Sequence, residues 1–289
     1  MIWLLVIPAI YVALLMLLAW ISIHPFRIPF WISPGVLGAP HQEVEFESEQ
    51  GTVRGWWVPK EDSSRVAVIA HGYMMNRCEL TPEAYCLWKE GVSCLLIDFR
   101  CHGKSRGSHC GLGFAERNDV VAAVRFARER VPNAKVMLIG SSMGSAAIGF
   151  AIGEDPSLAD LVVFDSAYGK LSSAIQGWWR FTGGDWLATV LSPILLVAWP
   201  LIQINPFRIE VSSSIAKAGP IPMLFIHGGK DTLALPSEAQ KNFDVAAGPK
   251  KLVWFEGCGH SEGRWLFPEK YREALFDFLM EHEFLEPRA

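Results

Sequence analysis

Five consecutive residues, Gly140-Ser141-Ser142-Met143-Gly144, carry the clearest chemistry in this chain. They follow the apolar run 136–139 and precede the small-residue stretch 146–150, a strand–turn–helix setting that lifts a serine hydroxyl onto a sharp turn. Such a turn strains its central residue and leaves no room for side chains two positions away. Gly140 and Gly144 therefore single out Ser142 as the nucleophile; Ser141 is not flanked by glycine at both such positions. A serine hydroxyl attacks only when a base takes its proton. Among eight histidines, His260 is the best placed, in the glycine-rich segment Glu256-Gly257-Cys258-Gly259-His260 after the last apolar strand pattern. The base needs an orienting carboxylate. Asp231, in His227-Gly228-Gly229-Lys230-Asp231, follows another apolar run and gives the chain order serine, acid, histidine. Asp165, at the end of the preceding strand pattern, is the rival acid. The plain alternatives are a solvated turn aspartate for either acid and a surface loop histidine for His260.

Acyl transfer also needs N–H donors aimed at the developing oxyanion. Met143 N–H, at the start of the helix after the nucleophile, is one candidate. The second should come from the loop after the first parallel strand, where Ala70-His71-Gly72-Tyr73 stands and Tyr73 N–H is the expected donor. His71 reads as scaffolding for that loop, not as the base.

The elements that must hold these residues are short apolar runs alternating with amphipathic helices, the pattern of an α/β fold with a mostly parallel sheet. Runs 43–48 and 52–58 predict an antiparallel opening pair around Gln50-Gly51. Buried strands are expected over 66–70, 93–97, 135–139, 161–164, 223–226 and 251–255. Helices are expected over 82–90, 116–130, 144–153, 236–246 and 268–282. In 116–130, Val120, Val121, Val124 and Ala127 share one face.

Composition removes some classes of function. A net charge of −4 with no Lys/Arg run argues against a nucleic-acid partner. Six cysteines show neither CxxC pairs nor zinc-type spacing, so no metal site is expected and buried free thiols are the reading for most. Cys101 and Cys110 bracket a glycine-rich loop, and a disulfide between them stays open.

Two uncharged stretches, each 22 residues long, stand out. The first, 2–23, would make a helix of about 33 Å, enough to cross a bilayer core. Trp3 lies near one end and Trp20, Phe26, Phe30 and Trp31 near the other, as interface aromatics do. With no basic residue before it and a long apolar run, it reads as an uncleaved anchor. Residues 24–31 read as a proline-broken interfacial linker, and Arg27 leans the catalytic side towards the cytoplasm. On this reading, removing 1–31 leaves a soluble domain that still turns over small esters. The second stretch, 186–207, lies between Ser142 and the Asp231/His260 pair, so one crossing there would split the triad across the membrane. Pro193 and Pro200 should also break it. It reads as an apolar cap within 167–215, rich in Trp178, Trp179, Trp186, Leu195, Leu196 and Trp199, or as an ordinary buried helix pair. The organisation expected is therefore 1–31 anchor and linker, then one domain over 32–289.

Together these residues resemble the α/β-hydrolase superfamily over roughly 44–285. They are most similar to its membrane-anchored or lid-bearing bacterial branch of esterases, acylglycerol lipases and Bem46-type or depalmitoylase-like proteins. His71-Gly72-Tyr73 with Asn76-Arg77 resembles the oxyanion segment. Asp98-Phe99-Arg100-Cys101-His102-Gly103-Lys104-Ser105 resembles the strand-four loop, with Cys101 where glycine is usual. Gly140-Ser141-Ser142-Met143-Gly144, Gly228-Gly229-Lys230-Asp231 and Gly259-His260 match the nucleophile, acid and base segments. The resemblance implies an α/β-hydrolase fold with a short helical cap and an N-terminal membrane-anchor helix. It implies attack on esters, thioesters or amides without metal or organic cofactor, and a serine nucleophile argues against the branches that use aspartate there. The activity expected is hydrolysis of short or medium acyl esters or acylglycerols through an acyl-enzyme, on a small-molecule or lipid-like substrate, with membrane contact through the N-terminal helix and the cap. An acyl-protein or acyl-CoA thioesterase, a peptidase, and a non-catalytic membrane-tethered binding protein stay open as alternatives.

Overall fold

In the computed structural model, residues 3–49, 51–202 and 205–286 are described. Ile2 of the first uncharged stretch, Gln50 of the expected first turn and residues 203–204 of the second stretch lie outside them, as does the side chain of Trp3.

Eight strands form one sheet: β1 (Gln42–Ser48), β2 (Gly51–Val58), β3 (Arg65–Ala70), β4 (Ser93–Asp98), β5 (Lys135–Ser141), β6 (Leu161–Asp165), β7 (Met223–Gly228) and β8 (Lys250–Phe255). Their order is β1-β2-β4-β3-β5-β6-β7-β8. The β1–β2 and β2–β4 pairings are antiparallel and the other five parallel. This is the mostly parallel sheet, flanked by helices, of the α/β-hydrolase fold. The unbroken apolar runs of β4, β6 and β7 follow from burial of every residue in them, because helices cover both faces.

The helices are α1 (Trp3–Ile23), α2 (Thr81–Lys89), α3 (Arg117–Arg130), α4 (Met143–Glu154), α5 (Leu171–Val190), α6 (Ile194–Ile202), α7 (Val211–Ile215), α8 (Pro236–Val245), α9 (Gly263–Leu266) and α10 (Pro268–Glu281). Val120, Ala123 and Val124 of α3 join Ala146, Ala147 and Phe150 of α4 in the core on one face of the sheet. Leu87 of α2 and Tyr271, Leu275 and Phe278 of α10 fill the other. Parallel strands end on one side, so the loops after β3, β5, β7 and β8 gather there.

A separate apolar layer sits apart from this sandwich. Leu15 and Ala19 of α1 pack with Leu191 and with Ile194 of α6, flanked by Tyr11, Trp179 and Leu187. α5 is kinked at Gly184 (φ 80°, ψ −178°), and α5 and α6 meet at 88°. Pro193 lies in that corner, whereas Pro200 is carried inside α6, so the second proline does not break the run as its type suggests.

The end of α1 and the segment after it are bonded to the loops at the strand ends. Tyr73 Oη donates to Ser22 O (2.8 Å) and Cys110 N–H to Ile23 O (2.8 Å). Arg27 Nη1 donates to Gly103 O (2.6 Å), and Asn76 Nδ2 to Ile28 O (2.9 Å). All six cysteines are free. Cys101 has φ 63°, the left-handed backbone that explains why glycine is the usual residue there.

Candidate active site

The turn between β5 and α4 holds Ser142 at φ 50°, ψ −113°, outside the ordinary regions, a conformation that costs about 1–3 kcal/mol. The surroundings impose it. Ser142 N–H donates to Asp165 O at 2.8 Å, and Ser145 Oγ donates to Gly140 O at 2.7 Å. A Cβ on Gly140 would lie 2.5 Å from Ser145 N, and one on Gly144 would lie 2.4 Å from Ala70 O. Both glycines are therefore steric requirements of the turn.

His260 Nε2 lies 2.7 Å from Ser142 Oγ, and His260 Nδ1 lies 2.7 Å from Asp231 Oδ2. Asp231 is buried, and its Oδ1 accepts the N–H groups of Leu233 (2.8 Å) and Ala234 (2.9 Å). Those two bonds aim Oδ2 at the imidazole. Nδ1–H then faces the carboxylate, and Nε2 is left to accept the serine proton. Asp165 does not compete: its Oδ2 is 2.5 Å from Arg264 Nη1 and 3.3 Å from Tyr271 Oη.

Among the described residues, neither Tyr73 N–H nor Met143 N–H has an acceptor, and both residues border the cavity at Ser142. Gly72 lies against the nucleophile: a Cβ there would stand at ordinary contact distance from Ser142 Cβ and from the Glu79 carboxylate. His71 and His102 are both committed to the loops. His71 Nε2 accepts Phe99 N–H (3.0 Å) and its Nδ1 donates to Gly72 O (2.7 Å). His102 Nε2 accepts Met74 N–H (3.3 Å) and its Nδ1 donates to Arg100 O (2.8 Å). Burial pushes His71 down to about 4 and His102 down to about 3, so both are neutral scaffolding at neutral pH.

Beneath the nucleophile lies a charged cluster that sequence reasoning missed. Glu79 Oε2 accepts Gly72 N–H (2.6 Å), and Glu79 Oε1 accepts Ser141 Oγ (2.8 Å) and the Arg264 guanidinium. Arg264 also donates to Ser141 Oγ (3.1 Å) and Asp165. Glu79 thus ties the oxyanion-loop candidate to the nucleophile turn, and Arg264, four residues after His260, ties in the base loop. Glu83, buried close by, is pushed up to about 7 by loss of water. A second ion pair, Arg77 with Asp98 (3.0 Å), anchors the segment after Tyr73, and Arg77 also reaches Glu43 (2.9 Å). The only hint in the sequence was position: Glu79 and Arg264 lie within a few residues of segments already singled out.

The cavity above Ser142 measures about 280 Å³, near the lower end of the roughly 300–1,000 Å³ usual for ligand sites. Tyr73, Leu112, Ile175, Trp178, Trp179 and Leu233 give it apolar walls, and Ser22 at the end of α1 borders it. Among the described residues, no group of three or more His, Cys, Asp or Glu side chains is placed to hold a metal ion. An imidazole between a buried carboxylate and a strained serine, with free N–H groups beside it, can run nucleophilic attack on a carbonyl.

Comparison with known proteins bears on the family and the fold. YfhR of Escherichia coli (strain K12) is 26% identical over 256 residues, covering 83% of this chain and 80% of its own. YqkD of Bacillus subtilis (strain 168) is 24% identical over 243 residues, 78% of this chain and 75% of its own. The structure of the Pyrococcus furiosus esterase Pf2001 shares the fold, with a TM-score of 0.74 and 24% identity over 90% of this chain and 98% of that one. Residues 61–217, more than half of the sequence, match the family described as serine aminopeptidase, S33. The chain belongs to that family and is a serine hydrolase of the α/β-hydrolase superfamily.

Proposed function

We propose that this protein is a membrane-anchored esterase, of the Bem46-like branch, in which Ser142, His260 and Asp231 form the triad and Tyr73 and Met143 form the oxyanion hole. The pair of 2.7 Å hydrogen bonds through His260, set under an apolar cavity, carries the reading. Ser142 Oγ attacks the substrate carbonyl as its proton passes to His260 Nε2. Asp231 holds the imidazolium that results. The N–H groups of Tyr73 and Met143 receive the negative charge that builds on the carbonyl oxygen. His260 then protonates the leaving alcohol, and the acyl group stays on Ser142. Water, deprotonated by the same imidazole, releases the acid and restores the serine.

Carboxylic esters of short or medium acyl length, acylglycerols among them, fit the small apolar cavity best. An aminopeptidase would need an open carboxylate to meet the substrate ammonium. Of the carboxylates bordering the cavity, Glu79 is engaged through both oxygens with Arg264, Gly72 and Ser141, while the exposed Glu262 makes one hydrogen bond, from Gly259 N–H (2.7 Å). In this reading, 1–31 is the anchor and linker, 32–289 the hydrolase domain and 167–215 its cap. α1 spans the bilayer, and Arg27 beside its end favours the cytoplasmic face for the catalytic domain. The test is hydrolysis of p-nitrophenyl esters of graded acyl length beside the matching thioesters, with Ser142→Ala as control. Oxygen-ester turnover that peaks at one length and vanishes in the variant supports the reading. Faster thioester turnover would move the substrate class, and turnover that survives in Ser142→Ala would defeat the assignment.

A further inference from the structure

α1 does not stand free of the cap. It packs on α5 and α6 through Leu15, Ala19, Leu191 and Ile194, and Tyr11 Oη donates to Val190 O at the α5–α6 corner. Trp20 is the aromatic residue near the catalytic end of α1. Tyr11 lies nine residues from it, about 14 Å along the helix. The hydrocarbon core of a bilayer is about 30 Å thick, so a point about 14 Å inside is close to its middle. The described stretch of α1 beyond Tyr11, residues 3–10, is about 12 Å long, less than half of that core. If α1 crosses a membrane in this packing, the corner between Val190 and Ile194 goes in with it.

The side chains match that placement. Leaving α1 in water up to Tyr11 would strand Val12, Leu14, Met16 and Leu17, all exposed on the side away from the cap. On the cap, Trp186, Val190, Leu196, Trp199 and Leu201 are exposed as well. No charged residue occurs between Asp185 and Arg208. Three side-chain hydroxyls in this layer, those of Tyr11, Thr189 and Ser22, are bonded to backbone carbonyls, as hydrocarbon favours. Tyr11 meets Val190 O, Thr189 Oγ1 donates to Asp185 O (2.8 Å), and Ser22 Oγ donates to Leu18 O (2.8 Å). Asp185, at the edge of the uncharged stretch, pairs with Arg180 (2.9 Å).

From this we infer that α5 and α6 form a re-entrant hairpin. It dips into the same leaflet as α1 and returns, so the cavity at Ser142 meets the lipid phase and takes esters already dissolved in that leaflet. The inference rests on α1 being a membrane helix. It removes the topological conflict of a second apolar stretch between Ser142 and His260, because a hairpin enters and leaves on one side.

The test uses the full chain in phosphatidylcholine vesicles, in a Cys86→Ser background because the other five thiols are buried. Single cysteines replace Leu14, Val190, Leu196 or Lys241, each labelled with bimane. The expected result is stronger quenching by lipid bearing a mid-chain doxyl group than by aqueous iodide at positions 14, 190 and 196, with iodide quenching alone at 241. Doxyl quenching at 14 with iodide quenching at 190 and 196 would overturn the hairpin and leave the anchor. Iodide quenching at all three would overturn both. Turnover of p-nitrophenyl butyrate in the same samples reports separately on the esterase reading.

Discussion

Below Ser142 the pocket is closed by charge: Glu79, Arg264 and Asp165 are buried, and each is hydrogen-bonded to a backbone or side chain of the nucleophile turn, the Gly72 loop or the segment after His260. Above Ser142 it is closed by Ser22 of α1 and by Ile175, Trp178 and Trp179 of α5, behind which Leu15, Ala19, Leu191 and Ile194 meet in an apolar layer crossed by the Tyr11–Val190 hydrogen bond. Hydrogen bonds have direction and fix position to fractions of an ångström, whereas apolar packing fixes area and leaves sliding cheap. The lower region is suited to aligning reacting atoms. The upper region is suited to accepting chains of varied length and to meeting lipid. Loss of alignment should therefore appear in kcat, and loss of the apolar wall in KM.

The contrast can be broken from its most sensitive point outward. Asp231→Asn keeps the shape but frees the histidine tautomer, so kcat should fall on the order of 10⁴-fold while the melting temperature moves little. Glu79→Gln weakens the hold on Gly72 and Ser141 without touching substrate. It should lower kcat roughly 10- to 100-fold with KM nearly unchanged, less than deletion of an oxyanion donor costs. A KM effect instead would mean that Glu79 binds substrate. Deleting 1–31 removes the partners of Tyr73 Oη and Asn76 Nδ2, so the truncated domain should lose roughly tenfold in kcat/KM on p-nitrophenyl butyrate. Full activity there would make α1 a tether and nothing more. Trp178→Ala should shift the preferred acyl length upward and raise KM for short esters by several-fold at most, with kcat nearly kept.

The smallest effect concerns pH and stability. Glu83 is buried with one unpaired carboxyl oxygen, and burial raises its pKa to about 7. The fold therefore prefers its proton. The stabilisation is complete below the unfolded value near 4.5 and is lost as pH rises through 7. Glu83→Gln mimics the protonated acid, so wild type should melt with the variant near pH 4 and a few degrees below it near pH 8, by thermal scans at both.

How legible each region is from sequence follows from how each is built. The turn around Ser142 is local, and its steric demand is written in two glycines four residues apart. The strands that flank it are written in runs of apolar residues. The charged cluster is assembled from 79, 141, 165 and 264, which only the closed sheet brings together, and a single glutamate after Asn76-Arg77 has no periodicity to betray it. The apolar layer shows the opposite gap. Hydropathy reveals that 2–23 and 186–207 avoid water, yet nothing in either stretch says that they pack on each other, or that Pro200 can sit within α6.

The most direct test of the central assignment is labelling of the full chain with a fluorophosphonate, followed by peptide mapping. One label per chain on Ser142, absent from Ser142→Ala and slowed in His260→Ala, is the expected result. A label on Ser141, or none on a protein whose circular dichroism shows it folded, would contradict it.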